Sequence, residues 1–536
     1  MTCEHLHGLT VVSPSSPDEC AACLAAGDTW VNLRICLVCG NVACCNDSKN
    51  KHATQHHHAT GHPVIQSYQP GEGWRYCYLD DAMLPDAAPF RSRPSPVSPA
   101  GDGATAAGVI RSYYAIAGTY TLAASLIWGV NTLFLLGAGL DIFEVFLANA
   151  AYTVGTVLFE VPTGVLADTR GRRTSFLVGV LVLLVTTLAY ALAATLGASL
   201  LVFALVSVLV GLGFTFYSGA VEAWLVDALE ATGFQGSLDP VFARGSMVTG
   251  FAMLIGSIGG GALGMIDLTI PYVVRAGLLA LSFVIAWFWM KDLGFHPRTT
   301  SFGAIPQEMR RVARESVRIG VGIAPIRWLV GVQLVEWGFL MWAWYAWQPY
   351  FLELWGDPGA VWLAGVISAA MSLAMIAGNS LVDVLTRYCG RRTTLMAWGM
   401  AIQVLAALTV GLTSSFWVAV LAFMALIASA GVIGPVRSTS LHKLISKEHR
   451  ASIISFDSMV SSGGSVAGQA GLGWVSRARS IADGFVLGGF ASLLAFPILY
   501  VLRRLDDPSD FVIGERAREL GTCAAQGTPA IGQVDP

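Results

Sequence analysis

Twelve residues near the start of the chain have the types and spacing of metal ligands. Cys3-x-His5 opens the series, and Cys20-x2-Cys23 and Cys36-x2-Cys39 follow as short-spaced pairs. Cys44, His52, His56 and His62 come next, and Cys77 and Asp80 close it. Zinc takes four sulfur, nitrogen or oxygen ligands in a tetrahedron, usually offered as close pairs. Two full sets and a partial third are present, enough for two or three zinc ions. Eight of the ten cysteines and seven of the ten histidines lie at or before Cys77. Such mixed clusters indicate metal rather than disulfides, as a reducing compartment requires. The opening "MTCEHLHGLT" has neither the basic nor the long apolar region of a cleaved signal peptide.

A second set of reactive groups lies in apolar surroundings. Glu336 sits within "VQLVEWGFLMWAWYAWQPYF", among Trp337, Trp342, Trp344 and Trp347. An ion at the centre of a membrane helix costs at least ~2.5 kcal/mol, so a carboxyl there favours its protonated form and is a functional candidate. The aromatic surround suits a cationic or flat apolar substrate. Glu160, in "EVPTG", is a candidate for a proton or gating role, and Glu222 for a structural ion partner. Glu144 and Arg275 fall near helix ends, from which they are expected to snorkel. Asn131, Gln348 and Asp457 are expected to line a cavity.

The rest of the chain supplies the frame for these groups. It has 536 residues, of which 54% are hydrophobic and only 12% charged, with a mean hydropathy of +0.61. Soluble domains carry about 25% charged residues, so an all-α integral membrane protein is expected. A net charge of −3 gives no indication of nucleic acid as a partner. Residues 1–80 form a polar, small α+β module. Residues 81–109, rich in Pro, Ala and Ser, read as a linker. Twelve apolar runs follow, starting near Tyr113, Ile142, Thr174, Leu200, Met247, Tyr272, Trp328, Val361, Thr394, Trp417, Ile453 and Phe485. Each has roughly the 20 residues that span a bilayer. The eleventh, "SIISFDSMVSSGGSVAGQAGLGWV", is rich in Gly and Ser, which suits close helix packing.

Arginine and lysine recur on alternate connections, in "DTRGRRT", "RTTSFGAIPQEMRRVARESVR", "TRYCGRRTT" and "RSTSLHKLISKEHR". The positive-inside rule places these, and both termini, in the cytoplasm; Arg477 and Arg479 are the exception. "GRRTSFLVGVLVLL" is echoed by "GRRTTLMAWGMAIQ", dividing the body into halves at 110–291 and 328–505, with a tail at 506–536. Between the halves, within 292–327, Met309, Val312, Ala313, Ser316 and Val317 share one helical face. Arg310, Arg311, Arg314 and Arg318 lie largely elsewhere, as in a helix lying on anionic lipid.

Two six-helix repeats and "GVLADTRGRR", Gly164 to Arg173, resemble the major facilitator superfamily and its signature between helices 2 and 3. "FEVPTGVLADTRGRR", "YSGAVEAWLVDAL" and "WYAWQPYF" resemble its drug-efflux branches. The resemblance implies that Gly164, Asp168, Gly171, Arg172 and Arg173 gate the molecule. Asp168 would latch onto the start of helix 11 around Ser452 to Ile454, whose N-terminus carries about half a positive charge. Arg172 would bridge to Asp227. In the second half Arg387 stands where Asp168 does in the first, with Asp383 one turn earlier.

"CEH", "CAAC", "LRICLVCGNVACC", "HATQHHHATGHPV" and "GWRYCY" resemble the ubiquitin-protease-type zinc finger over residues 3–80. That resemblance implies one zinc on Cys20, Cys23, Cys44 and His52, a second on Cys36, Cys39, His56 and His62, and a third on Cys3, His5, Cys77 and Asp80. His57 and His58 belong to no set. The family's pocket for the free Gly-Gly end of ubiquitin maps onto Trp74, Arg75, Tyr76 and Tyr78, but Asn46 stands in place of its arginine. A docking or regulatory module is therefore favoured over a binder of ubiquitin-like tails.

The function expected is proton-coupled export of hydrophobic or cationic drug-like compounds by a monomeric transporter in the plasma (inner) membrane. The alternatives are export of a lipid or metabolite, and a sensor of peptide tails anchored by a transporter body. No catalytic triad or Walker motif appears in the sequence, so neither an enzyme nor an ATP-driven pump is expected.

Overall fold

The computed structural model describes residues 3–6, 12–16, 18–46, 48–90, 105–217, 220–295, 305–445 and 450–512. They fall into two compact units, the second beginning at Thr105.

The first unit is a five-stranded antiparallel sheet in the order β2-β1-β3-β4-β5. The strands are β1 (Leu33–Cys36), β2 (Val42–Cys44), β3 (Val64–Ser67), β4 (Arg75–Cys77) and β5 (Ala82–Leu84), with helices α1 (Ala21–Ala25) and α2 (His52–Thr60). Helix α2 stops at Gly61, whose φ of 72° is the left-handed conformation that closes a helix. Leu33, Ile35, Val42, Val64 and Tyr68 form a small core with the buried cysteines. The sheet does not end at residue 80. β5 pairs with β4, Gln66 Nε2 donates to the Ala88 carbonyl at 2.9 Å, and Phe90 packs on Tyr68. Composition assigned 81–90 to the linker because a three-residue strand leaves no readable alternation. Residues 91–104 lie outside the described residues.

The second unit is helical. Its first half contains α3 (Ala106–Ser125), α4 (Asn131–Gly137), α5 (Ile142–Arg170), α6 (Arg172–Thr195), α7 (Leu200–Tyr217), α8 (Ala220–Ala231), α9 (Asp239–Gly264) and α10 (Ile270–Trp289). After α11 (Ile305–Gly322) come α12 (Ala324–Trp355), α13 (Val361–Tyr388), α14 (Arg392–Leu412), α15 (Phe416–Leu444), α16 (Arg450–Ala478), α17 (Ile481–Ser492) and α18 (Ala495–Arg504). Among the described residues, nine spans are long and apolar enough to cross a membrane, or ten with the bent pair at α11 and α12. Twelve were expected. The segment α3–α4, broken by turns between Ser125 and Asn131, and the Gly/Ser-rich α16 are not among these spans. Their bulk hydropathy is low because they pack against protein: Ser125 and Ser465 are both buried.

The end of α11 meets α12 at 105°. Arg310, Arg314 and Arg318 are exposed and Ser316 is buried, but Val317, expected on the apolar face, is exposed. The side chains of Met309, Val312 and Ala313 lie outside the described residues.

The halves meet along small residues and polar bolts. A Cβ at Gly261 of α9 would lie 2.7 Å from the Gly365 Cα of α13, so the two backbones touch. Where α3 gives way to α4, the Thr132 amide donates to Gln348 Oε1 at 2.8 Å. Gln348 Nε2 in turn donates to the Trp128 carbonyl at 2.9 Å. A valine at Gly261 forces α9 and α13 apart. The expected loss is about 1–3 kcal/mol of stability, read as a lowered melting temperature in detergent; an unchanged value contradicts the close packing.

Candidate metal clusters and the polar network of the helical body

In the first unit the sheet and α2 bring the ligand atoms together. His52 Nδ1 lies 3.4 Å from Cys20 Sγ, 3.3 Å from Cys23 Sγ and 3.4 Å from Cys44 Sγ. In the second cluster Cys36 Sγ lies 3.4 Å from His62 Nδ1, and His56 Nε2 lies 3.2 Å from Cys39 Sγ and 3.3 Å from His62 Nδ1. In the third, His5 Nδ1 is 3.5 Å from Cys77 Sγ, 3.7 Å from Cys3 Sγ and 3.2 Å from Asp80 Oδ2. Within each set all ligand atoms lie within 4.8 Å of one another. Bond lengths of about 2.3 Å to sulfur and 2.0 Å to nitrogen give a tetrahedral edge of about 3.5 Å, so the residues fit zinc. Without metal, burial pushes the Cys23 thiol up to about 12 and also raises Cys36. A dication reverses that by binding thiolates. Histidine and cysteine clusters of this kind bind zinc.

The aromatic wall is largely engaged within the module. Tyr78 stacks on His57 with centroids 4.5 Å apart, and its hydroxyl lies 3.2 Å from Thr54 Oγ1, which also bonds Asn46. Tyr76 bonds Asp81. Arg75 Nε donates to the Pro85 carbonyl. The guanidinium above Trp74 belongs instead to Arg34, 4.4 Å from the ring centroid. Sequence reading passed over Arg34 because it is paired with Trp74 across the sheet, not along the chain.

In the helical unit Arg172 lies 3.8 Å from Asp168 and 3.5 Å from Asp227. The segment around Ser452 to Ile454, expected to face Asp168, lies in the first turn of α16, and the side chain of Ser452 is outside the described residues. Gly171 has a φ of 99°, and a Cβ there would lie 2.5 Å from Asp292 Oδ2, so only glycine admits this carboxylate. Asp292 Oδ1 accepts from the Arg173 amide at 2.8 Å; burial raises its affinity for a proton and the Arg173 amide opposes that. The second half repeats the device. Asp510 accepts from the Thr393 amide at 2.7 Å and from its hydroxyl at 2.8 Å, while Arg391 pairs with Asp506 at 2.8 Å. Asp383 makes no ion pair among the described residues. Each Gly-Arg-Arg turn is thus held by an acid following the sixth helix of its own half. Gly164 has open space around it.

Glu336 is buried on α12, and its polar neighbours are Gln403 of α14, Arg437 of α15 and Asp457 of α16. Arg437 and Asp457 form a buried bidentate pair with distances of 2.7 and 2.8 Å. The tryptophans do not enclose Glu336. Trp342 packs with Phe146, Phe339 and Phe485, Trp347 packs with Phe351 and Phe423, and Trp344 is half-buried beside that core. Glu160 lies against Ser458 of α16, and Glu222 near Tyr113 and Tyr217.

Three further expectations are corrected. Glu144 does not snorkel: its amide donates to Asp141 Oδ1 and its carboxylate accepts from the Asp141 amide, a reciprocal cap on α5. Gln348 is fully buried with both ends of its amide bonded between the halves, so it lines no cavity. Arg275 is only 7% exposed and is held within the helical unit. Asn131 bonds Asn149 at 3.0 Å and accepts from the Tyr272 hydroxyl at 2.9 Å.

Residues 20–88 match the family described as Zn-finger in ubiquitin-hydrolases and other protein. Residues 342–523 match the Major Facilitator Superfamily. No curated protein matches the chain. Among solved structures, the nucleoside transporter NupG is similar with a TM-score of 0.60 at 11% identity, covering 74% of this chain and 99% of its own. The human organic anion transporter MFSD10 has a TM-score of 0.52 at 16% identity, covering 74% and 99%. Protein RPA1320 from Rhodopseudomonas palustris is 47% identical over 17% of this chain and 96% of its own, with a TM-score of 0.15. The chain joins a module that matches the zinc fingers of ubiquitin-hydrolases to a helical body with the major facilitator fold.

Proposed function

We propose that the protein is a proton-coupled secondary transporter that exports small hydrophobic, drug-like compounds, with the zinc finger as its docking or regulatory module. The observation that carries this reading is Glu336 buried beside the Arg437–Asp457 pair. With Glu336 protonated, the cluster is neutral. Loss of that proton leaves an extra buried negative charge, which is costly unless Arg437 turns toward it. Such a shift loosens the bond between α15 and α16, so proton release and helix rearrangement become one event. Arg172, with Asp168 and Asp227, is the companion charge relay at the Gly-Arg-Arg end. The drug-efflux resemblance supplies the substrate class. Its cationic part is not carried forward, because Trp342 and Trp347, expected to help hold a cation, pack into the aromatic core. The arginine-rich connections support an orientation with both termini in the cytoplasm, and a monomer suffices for the cycle.

Proton flux tests the coupling. In vesicles holding a pH-sensitive dye, transported compounds evoke flux through the wild type, and Glu336→Gln lowers it at least tenfold. Equal flux through both sinks the coupling role. The metal assignment is tested by counting zinc in the full chain. The wild type is expected to hold three ions, and Asp80→Ala and Cys23→Ser one fewer each. A wild-type count of two, unaffected by Asp80→Ala, removes the third site; fewer than two contradicts the ligand sets.

A further inference from the structure

Among the described residues, three arginines are buried in the helical unit: Arg275, Arg392 and Arg437. Two are fully accounted for. Arg437 pairs with Asp457, and Arg392 donates to the Ser509 and Phe511 carbonyls. Arg275 has no such partner. It makes no hydrogen bond or ion pair among the described residues, and its Nε is sealed from solvent with nothing to accept from it. It lies one turn beyond Tyr272 on α10, about 7–8 Å along the helix from Ile270.

The groups acting on this guanidinium are phenols: Tyr120 of α3, Tyr152 of α5, Tyr190 of α6 and Tyr272 of its own helix. Two of them are anchored. Tyr190 bonds Ser207, and Tyr272 donates to Asn131, which in turn holds Asn149. The hydroxyls of Tyr120 and Tyr152 make no hydrogen bond among the described residues. They are neutral donors that, unlike a carboxylate, leave the positive charge uncancelled. A permanently charged guanidinium held in an apolar bundle without a counter-ion requires an anion from elsewhere. Its planar fork matches the two oxygens of a carboxylate or phosphate.

From this the geometry points to an anion subsite in the first half of the body: Arg275, buried without a counter-ion and within the electrostatic reach of Tyr120 and Tyr152, binds the carboxylate or phosphate group of an organic anion, whose apolar part lies against the tyrosines. This deepens the transport reading and rests on it, since it makes the exported compound an amphipathic anion.

The test uses the full chain in lipid vesicles. Phenylglyoxal labels accessible arginines, and labelling of Arg275 is read by peptide mass spectrometry. The probes are 1-naphthoate and phenyl phosphate, each against its uncharged counterpart, 1-naphthamide and phenol. Labelling of Arg275 is expected to slow at least threefold with one or both anions and to be unchanged by the neutral compounds; which anion protects separates carboxylate from phosphate. Absence of labelling while Arg310 and Arg314 react, absence of protection by either anion, or equal protection by a neutral counterpart overturns the subsite. Anion-evoked proton flux should fall at least tenfold in Arg275→Gln, while Arg275→Lys keeps part of it with a raised KM. The wild-type labelling decides the matter even if Arg275→Gln does not fold. If anions protect Arg275 but evoke no flux, transport fails and the subsite stands. If neutral or cationic compounds drive a flux that Arg275→Gln leaves intact, the subsite fails and transport stands.

Discussion

A charge taken out of water into an apolar bundle has to be neutralised, and the interior of the helical body is organised by that requirement. The effective penalty is several kcal/mol per ion even after relaxation. Arg437 and Asp457 meet it with two short parallel bonds between α15 and α16. In the proposed cycle Glu336, beside them, meets it by holding a proton. Arg275 has no hydrogen-bond or ion-pair partner among the described residues, the observation from which the anion subsite is proposed. Buried charge is thus treated differently in the two halves: the second pairs Arg437 with Asp457, and the first leaves Arg275 without a counter-ion among the described residues.

At the Gly-Arg-Arg end the same physics works at lower stakes. Arg172 lies between Asp168 and Asp227 at 3.8 and 3.5 Å and is partly exposed. Surface pairs of this kind contribute only about 0–1 kcal/mol, so they do not hold the fold. The more firmly set acids are Asp292 and Asp510, each bonded to a backbone amide at the start of the next-stacked helix, α6 and α14. In the zinc finger the balance differs again. Its strands have three or four residues and its core is small. Domains with so little to bury usually depend on metals or disulfides, so the clustered thiols and imidazoles supply the stability that packing cannot.

The fold was legible because its signals are local. Apolar runs of bilayer length, the repeated "GRRT" turn and the paired CxxC spacings can each be read without knowing what packs on what. The site was legible only in part, for the same reason. Glu336 stood out as an acid in an apolar run, but its neighbours Gln403, Arg437 and Asp457 come from three other helices. The nearby tryptophans, adjacent in sequence, were misleading: along a helix they point away from the acid and into the aromatic core. Arg275 was read as a snorkelling residue from its distance to a helix end. Whether a long side chain reaches water depends on what surrounds it, here tyrosines from three further helices. Asp292, Asp506 and Asp510 were passed over because each follows the last helix of its half, far along the chain from the turn it holds.

In the proposed cycle Glu336 carries the exchanged proton beside the Arg437–Asp457 pair. Infrared difference spectroscopy of the reconstituted protein between acid and alkaline pH tests it most directly. The account predicts a carbonyl-stretch band of a buried protonated carboxylic acid that disappears on raising the pH and is absent from Glu336→Gln. A band that persists unchanged in Glu336→Gln, or a wild-type spectrum with no such band, contradicts it.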